Sequence, residues 1–356
     1  MSDTPYKRLA ERLDALPNGF PAAPDGAELR LLAKLFTPEE AALASQLRLT
    51  LETPAQLAER LGGEAKILRN QLKEMARRGL ISAGRCEGGL GYGLMPFVVG
   101  IYEMQIGRID AELARLFEDY YRQAFGVSAA VHPQVHRVIP IHQAVKTGLE
   151  IRPHESAAGI VDAMQSWGVL DCICRVQKAL IGQACHHPVE VCMVLSNKPG
   201  AFDSASGVRA LSKEQAMDVL HQAAEAGLVH SVSNNQHGNW YICNCCTCSC
   251  GLLRGVAELG MADVVAKSPF VLAVDENRCQ ACGACITACQ FGALHMEATA
   301  LRDERRCVGC GVCVPACPEE ALSLVRRAHA ETPPETEADW RIQRAAARGI
   351  DLAEIL

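Results

Sequence analysis

The sequence predicts an α+β protein of several domains, and two features of its 356 residues predict this organisation. The first is the distribution of its 18 cysteines, of which only Cys86 lies outside the span from Cys172 to Cys317. The second is that the N-terminal third reads as helices, whereas helices and strands alternate in the cysteine-rich part. We expect a N-terminal domain at 1–103, a helical connector and middle domain at 104–269, a small domain at 270–328, and a linker with a C-terminal helix at 329–356.

Two capping boxes mark helix starts in the N-terminal domain. Thr37 stands three residues before Glu40, and Thr53 stands three residues before Gln56. In such pairs each side chain bonds the backbone N–H of the other residue, which satisfies donors that a helix start leaves free. Both sites therefore predict the beginning of a helix.

A third helical pattern, Glu64 to Arg78, ends at Gly79, and the glycine-rich stretch Leu80 to Leu94 is typical of a β-hairpin. This order of elements resembles a winged-helix domain over Phe36 to Pro96. In that fold the third helix often enters the DNA major groove.

Four basic residues recur at helical spacing on the third helix: Lys66, Arg69, Lys73 and Arg77. They suit phosphate contacts, but Phe36 to Pro96 contains eight Lys/Arg and seven Asp/Glu, so the domain is nearly neutral. A solvated helix face is the favoured interpretation, with nucleic-acid binding as the alternative.

Two segments follow whose sequence leaves alternatives open. Met104 to Phe125 is amphipathic and predicts a helix that serves as a connector or for dimerisation. His132 to His142 contains three histidines, which suit metal ligands or a proton relay near a cluster; ordinary loop histidines are the more frequent case.

The most specific signal is a cysteine run that occurs twice near the C-terminus. It reads Cys279-x2-Cys282-x2-Cys285-x3-Cys289 and then Cys307-x2-Cys310-x2-Cys313-x3-Cys317-Pro318. Gly283, Gly309 and Gly311 leave room for each loop to fold around a cluster. Residues 270 to 328 thus resemble a bacterial 2[4Fe–4S] ferredoxin.

In that family the fourth cysteine of each run binds the cluster of the other run. The resemblance therefore assigns one [4Fe–4S] cluster to Cys279, Cys282, Cys285 and Cys317, and a second to Cys307, Cys310, Cys313 and Cys289. Gln290 departs from the family pattern, in which proline follows the cysteine. A pair of zinc sites is the alternative, because CxxC pairs also suit tetrahedral zinc, but the doubled run of eight cysteines favours the cubanes.

The middle region contains nine further cysteines, more than a core needs, and we interpret them as metal ligands. They are Cys172, Cys174, Cys185, Cys192, Cys243, Cys245, Cys246, Cys248 and Cys250. The first four are enough to bind one metal site. Four of the last five could complete another, if the loop curves enough to bring them together or if cysteines of the first group take part. All five are not expected on one metal, because neighbouring strand residues face opposite ways. The spacing does not fix the pairing, so one or two further Fe–S clusters are expected. Arg175 suits the negative charge of a cluster or an ordinary ion pair.

The order of winged helix, CxCR, cysteine-rich loop and dicluster run looks like a group of 4Fe–4S proteins from anaerobic bacteria and archaea. No apolar stretch reaches the length of a membrane span, and the opening residues lack a signal-peptide core. We therefore expect a cytoplasmic protein whose thiols stay reduced and available to metal. The net charge of −6 disfavours nucleic-acid binding by the molecule as a whole.

These observations predict an electron-transfer protein that relays low-potential electrons to or from a redox partner, an oxidoreductase of anaerobic metabolism. Phosphate loops and serine-elbow motifs are absent from the sequence. Two alternatives remain. One is an Fe–S redox sensor that regulates transcription through the winged helix, and the other is a reductase with its active site at the middle cysteines.

Overall fold

A computed structural model of the chain describes residues 4–125, 130–144, 150–354 and 356. The chain forms two compact units. Unit 1 comprises Met1–Ala129 and Arg341–Leu356, and unit 2 comprises Ala130–Trp340. Within these described ranges, no helix is both long enough and apolar enough to span a bilayer.

Unit 1 is mainly helical. Its elements in chain order are α1 (Pro5–Asp14), α2 (Ala27–Leu35), α3 (Pro38–Ala44), α4 (Pro54–Leu61), α5 (Ala65–Arg77), β1 (Ser82–Cys86), β2 (Gly89–Gly93) and α6 (Ala111–Tyr120). Both predicted capping boxes are formed, at the starts of α3 and α4. The predicted hairpin is confirmed as well, with β1 antiparallel to β2.

The helix predicted over Met104 to Phe125 is only partly confirmed. Glu103–Gln105 is a separate 3-10 turn, and α6 begins later, where the Asp110 carboxylate accepts the Leu113 N–H at 2.8 Å. Gly107 between them has φ 76°, in the left-handed region, which interrupts a right-handed helix. A π-type turn at Tyr121–Phe125 follows α6.

The predicted C-terminal helix runs from Glu337 to Arg348 and contributes to unit 1. Arg344 is fully buried, and its Nε donates to the Pro17 carbonyl at 2.8 Å. Arg348 forms a 2.9 Å ion pair with Asp14. The helix therefore binds the start of the chain through one buried and one partly buried guanidinium group.

Unit 2 is built on a six-stranded antiparallel sheet in the order β3-β7-β8-β5-β4-β6. The strands are β3 (His136–Val138), β4 (Ser166–Asp171), β5 (Glu190–Ser196), β6 (Arg209–Leu211), β7 (Val229–Ser233) and β8 (Tyr241–Cys245). The helices are α7 (Ala157–Asp162), α8 (Ile173–Leu180), α9 (Lys213–Glu225) and α10 (Gly251–Ala257). Alternate apolar residues of the strands pack with α9 in one core, including Met193, Leu220 and Ile242.

The double cysteine run belongs to unit 2. Around it lie β9 (Phe270–Val274), α11 (Ala284–Ala288), β10 (Leu294–Met296), β11 (Ala300–Arg302) and β12 (Leu322–Arg326). β9 pairs with β12 and β10 with β11, both antiparallel. The segment is joined to the rest of unit 2 by the Ile141 N–H, which donates to the Cys310 carbonyl at 3.0 Å, and by a 2.7 Å ion pair between Arg326 and Glu155.

Replacing Arg344 by methionine should destabilise unit 1. The change removes a buried charged donor and leaves the Pro17 carbonyl without it, a loss of about 2 kcal/mol. Chemical denaturation followed by circular dichroism measures this. Arg69→Met, at an exposed position of α5, is the matched control and should change the unfolding free energy little; equal effects of both variants would contradict the burial argument.

Candidate metal centres

Glycines allow the second cysteine run to lie against the sheet. Gly309 has φ 73°, and a Cβ there would lie 2.0 Å from the Phe270 carbonyl oxygen. The residue at the corresponding place in the first run is Ala281, with φ 52°, and Gly283 of the same run has φ 79° but open space around it. The backbone of the second run therefore passes β9 so closely that only glycine fits at Gly309.

The structure brings the fourth cysteine of each run to the other run. Burial raises the pKa of Cys285, and the charges of Cys279 and Cys317 raise it further. Burial also raises the pKa of Cys310 to about 12, with Cys307 and Cys289 adding to the effect. Cys317 is therefore near enough to Cys285 to affect its pKa, and Cys289 lines one cavity with Cys307, Cys310 and Cys313. Cys282 is exposed at the surface.

A cavity in unit 2 has a donor set that suits an iron–sulfur cluster. Four cysteines line it, Cys289, Cys307, Cys310 and Cys313, together with apolar side chains that include Leu272, Phe291 and Leu324. Burial raises the pKa of both Cys310 and Cys313, so without metal these thiols keep their protons. Metal binding replaces the protons with positive charge, and the residues present therefore fit a thiolate-bound cluster.

Backbone donors are arranged alike around the two fourth cysteines. The Ala293 N–H donates to Cys289 Sγ at 3.4 Å, and the Ala321 N–H donates to Cys317 Sγ at 3.4 Å. Each donor lies four residues after its cysteine. N–H groups directed at cluster sulfur stabilise negative charge and so influence the reduction potential.

Gln290, the departure from the family pattern, connects the cysteine run to the middle region. Its Oε1 accepts the Thr247 N–H at 2.8 Å, and its Nε2 donates to the Gly227 carbonyl. A proline at this position can make neither bond. The residue after Cys289 is thus held against the loop that carries Cys246 and Cys248.

Six of the nine middle cysteines form one closed arrangement, which we call the six-thiol ring. Each side chain interacts with two others of the set, in the order Cys172, Cys174, Cys250, Cys245, Cys243, Cys192 and back to Cys172. The ring therefore combines cysteines that are up to 78 residues apart in sequence, and it takes members from both of the groups proposed above.

The pairing of β5 with β8 explains how the ring forms. Met193 pairs with Ile242, so the next pair along the ladder brings Cys192 opposite Cys243. Cys245 lies two residues further on and shares the face of Cys243. The remaining members lie at the starts of two helices. Cys172 and Cys174 are at the start of α8, and Cys250 immediately precedes α10.

The ring is buried next to a cation. Hydrogen bonds from neighbouring ring thiols lower the pKa of Cys172 and Cys250, whereas the pKa values of the other four ring members are raised. Arg175 is 3% exposed and donates from Nη2 to the Asn244 carbonyl at 2.9 Å, but in the described residues its Nε and Nη1 lack a hydrogen-bond partner. A buried guanidinium group needs a nearby negative charge, and thiolates bound to a metal would provide one. The surroundings of Arg175 therefore fit an anionic metal–thiolate centre.

His136, one of the three histidines singled out by the sequence, lies beside the ring. Its Nε2 is 2.8 Å from the Tyr241 hydroxyl, and its Nδ1 is 3.4 Å from the Ser231 hydroxyl, which is 3.8 Å from Cys245 Sγ. Burial lowers the pKa of His136 to about 4, so the imidazole is neutral near pH 7. Ser231 and Tyr241 carry no signal in the sequence, because strand register alone brings them here.

The other three middle cysteines form a separate group with a histidine that sequence reasoning missed. Cys185, His187, Cys246 and Cys248 each offer one ligand atom, and these atoms all lie within 4.8 Å of one another. The pair His186-His187 directly after Cys185 was a signal that could have indicated it. Cys86 belongs to β1 of unit 1 and takes no part.

Comparison with known proteins supports the C-terminal assignment. A family model that describes a 4Fe-4S binding domain matches residues 272–295 and again 300–323. These two segments contain all eight cysteines of the double run. No curated protein matches the chain. The chain thus carries two 4Fe–4S binding motifs in tandem near its C-terminus, and they indicate a role in iron–sulfur electron transfer.

Proposed function

We propose that the protein relays low-potential electrons to or from a partner oxidoreductase of anaerobic metabolism, with two [4Fe–4S] clusters in residues 270–328 as the relay. The crossed arrangement of the two runs carries this proposal. Cys317 and Cys279 both raise the pKa of Cys285, and Cys289 lines one cavity with Cys307 and Cys310, which supports the crossed assignment. Two clusters that exchange ligands in this way are adjacent, and adjacent centres suit stepwise electron transfer.

The ligands in this proposal are Cys279, Cys282, Cys285 and Cys317 for one cluster and Cys307, Cys310, Cys313 and Cys289 for the other. When bound, each cluster supplies a one-electron redox couple. The chain's own residues adjust that couple: the Ala293 and Ala321 N–H groups bond ligand sulfurs, and apolar side chains exclude water around the second run.

The proposal extends to the six-thiol ring, which we infer holds a further iron–sulfur cluster. Six thiols exceed the four ligands of a single cubane, and Arg175 supplies a buried positive charge beside them. Gln290, the residue after Cys289, accepts the N–H of Thr247 in the loop that follows β8 and so connects the double run to the ring's surroundings. The reductase alternative would have its active site at this ring. There the Ser231 hydroxyl lies 3.8 Å from Cys245 Sγ and 3.4 Å from His136 Nδ1.

Iron and acid-labile sulfide, counted on anaerobically purified protein, test the proposal. We expect more than about eight irons per chain, and Cys192→Ser should lower the count to about eight while the reduced [4Fe–4S] EPR signals persist. Cys86→Ser is the control and should leave the count unchanged. Zinc or no metal in the double run, or the absence of a reversible low-potential couple by protein electrochemistry, would refute the relay.

Gly309→Ala should prevent assembly of the second cluster, because the new Cβ would collide with the Phe270 carbonyl. Gly283 also has a positive φ, but nothing lies within 4 Å of a Cβ there, so Gly283→Ala costs only the strain of a left-handed alanine, about 1 kcal/mol. Iron content and EPR of both variants measure the difference. Equal iron loss in the two variants would show that backbone strain, and not the close approach to β9, limits assembly.

One observation favours the alternative of a redox-sensing transcriptional regulator. Lys66, Arg69 and Lys73 are exposed on α5, although Arg77 is ion-paired with Glu74 at 2.7 Å. If this helix binds DNA, Lys66→Glu with Lys73→Glu should abolish a salt-sensitive gel shift of genomic fragments. Lys198→Glu, at an exposed position of unit 2, is the control. No shift by the unaltered protein, reduced or oxidised, would remove this alternative.

A further inference from the structure

The group formed by Cys185, His187, Cys246 and Cys248 is separate from the six-thiol ring. Side chains alternate between the faces of a strand, so Cys246, which follows the end of β8, points away from the face of Cys245. Cys246 packs instead with Val191, with Ala223 of α9 and with Leu228. Cys185 packs against the same cluster. The two cysteine groups therefore lie on opposite sides of the central sheet.

The spacing of the ligand atoms suits one metal ion. Cys185 Sγ is 3.9 Å from Cys246 Sγ, and all four ligand atoms lie within 4.8 Å of one another. A tetrahedral ion with metal–sulfur bonds of about 2.3 Å places two sulfur ligands about 3.8 Å apart. A cubane binds each thiolate through a different iron, so its four ligands spread more widely than those of a single ion.

We propose that Cys185, His187, Cys246 and Cys248 hold a single tetrahedral Zn²⁺ ion in a closed Cys3His site. Three thiolates with one imidazole are a common ligand set of structural zinc. All four positions are taken by protein, which leaves no open position for substrate. This inference does not depend on the proposed relay.

The surroundings of the group are suited to such an ion. His187 Nδ1 is buried and has no hydrogen-bond partner in the part of the chain that the structure describes. The Ser249 hydroxyl lies 3.7 Å from Cys185 Sγ, so a polar group stands beside the sulfur of this ligand. Arg175 lies close enough to interact with Cys185 and Cys246, so its charge balances the excess negative charge of three thiolates on a divalent ion.

A zinc ion here would connect two loops of unit 2. Cys185 and His187 lie in the loop between α8 and β5, whereas Cys246 and Cys248 lie in the loop between β8 and α10. The second loop also contains Thr247, which is bonded to Gln290. The ion would thus fix the position of the loop that meets the double cysteine run, and its role is structural.

Metal analysis of anaerobically purified protein tests the proposal. We expect one zinc per chain in addition to iron, and His187→Ala should lose that zinc. His186→Ala is the matched control, because its ring stacks on His187 with centroids 4.2 Å apart but lies outside the group, and it should retain zinc. Co²⁺ in place of zinc should show the absorption of a tetrahedral thiolate site, and X-ray absorption should show three sulfur ligands and one nitrogen.

Cys248→Ser provides a second variant at an exposed position, for the case that His187→Ala does not fold. Zinc retained in both variants would overturn the proposal, as would unaltered protein that neither contains zinc nor binds added Zn²⁺ or Co²⁺. A loss of about four irons and four sulfides in Cys248→Ser would also overturn it, because a cubane would then occupy the site. The EPR signals of the double run report the proposed relay separately and should be unchanged in every variant.

Discussion

The arrangement of the cysteines in unit 2 depends on one requirement: a buried thiolate needs a positive charge beside it. A thiolate removed from water is unstable without a counter-charge, and a neutral thiol is a poor metal ligand. Burial raises the pKa of Cys310 and Cys313, whereas the hydrogen bond between Cys172 and Cys174 lowers the pKa of the first and raises that of the second. Seventeen cysteines gathered in one compact unit are therefore consistent with a fold completed by metal, in which binding free energy contributes to folding.

The central sheet decides which thiols meet. Because side chains alternate along β8, Cys243 and Cys245 share one face, and Cys246 turns to the other. One strand can thus supply ligands to two groups without a break in its hydrogen bonding. Arg175 lies between them and interacts with Cys172 and Cys246, one cysteine from each group. A single buried cation thereby stabilises negative charge on both sides of the sheet.

The sequence predicted what depends on neighbours along the chain. The capping boxes at Thr37 and Thr53 and the double cysteine run each follow from residues within a few positions of one another. The grouping of the middle cysteines did not follow, because it depends on the pairing of β5 with β8. His187 was missed for the same reason: spacing gave no sign that it would meet Cys246, which lies 59 residues further along the chain.

The two proposed clusters of the double run have different surroundings, although the two cysteine runs are alike in sequence. Cys282 and Pro318 are exposed, so the cluster proposed for Cys279, Cys282, Cys285 and Cys317 would lie near solvent. The ligands proposed for the other cluster are covered by neighbouring segments. The Cys310 carbonyl accepts the Ile141 N–H, and Gln290, next to Cys289, bonds both Thr247 and Gly227.

This asymmetry separates the two ends of the proposed relay. A partner protein would approach the exposed cluster, whereas Gln290, beside the covered cluster, bonds the loop next to the six-thiol ring. The two runs differ in bonding at Gln290, because the proline at the corresponding position of the second run, Pro318, has no N–H and no side-chain donor. Gln290 departs from the family pattern at the position that contacts the middle region. The side chain there accepts a hydrogen bond from Thr247 and donates one to Gly227, which a proline cannot do.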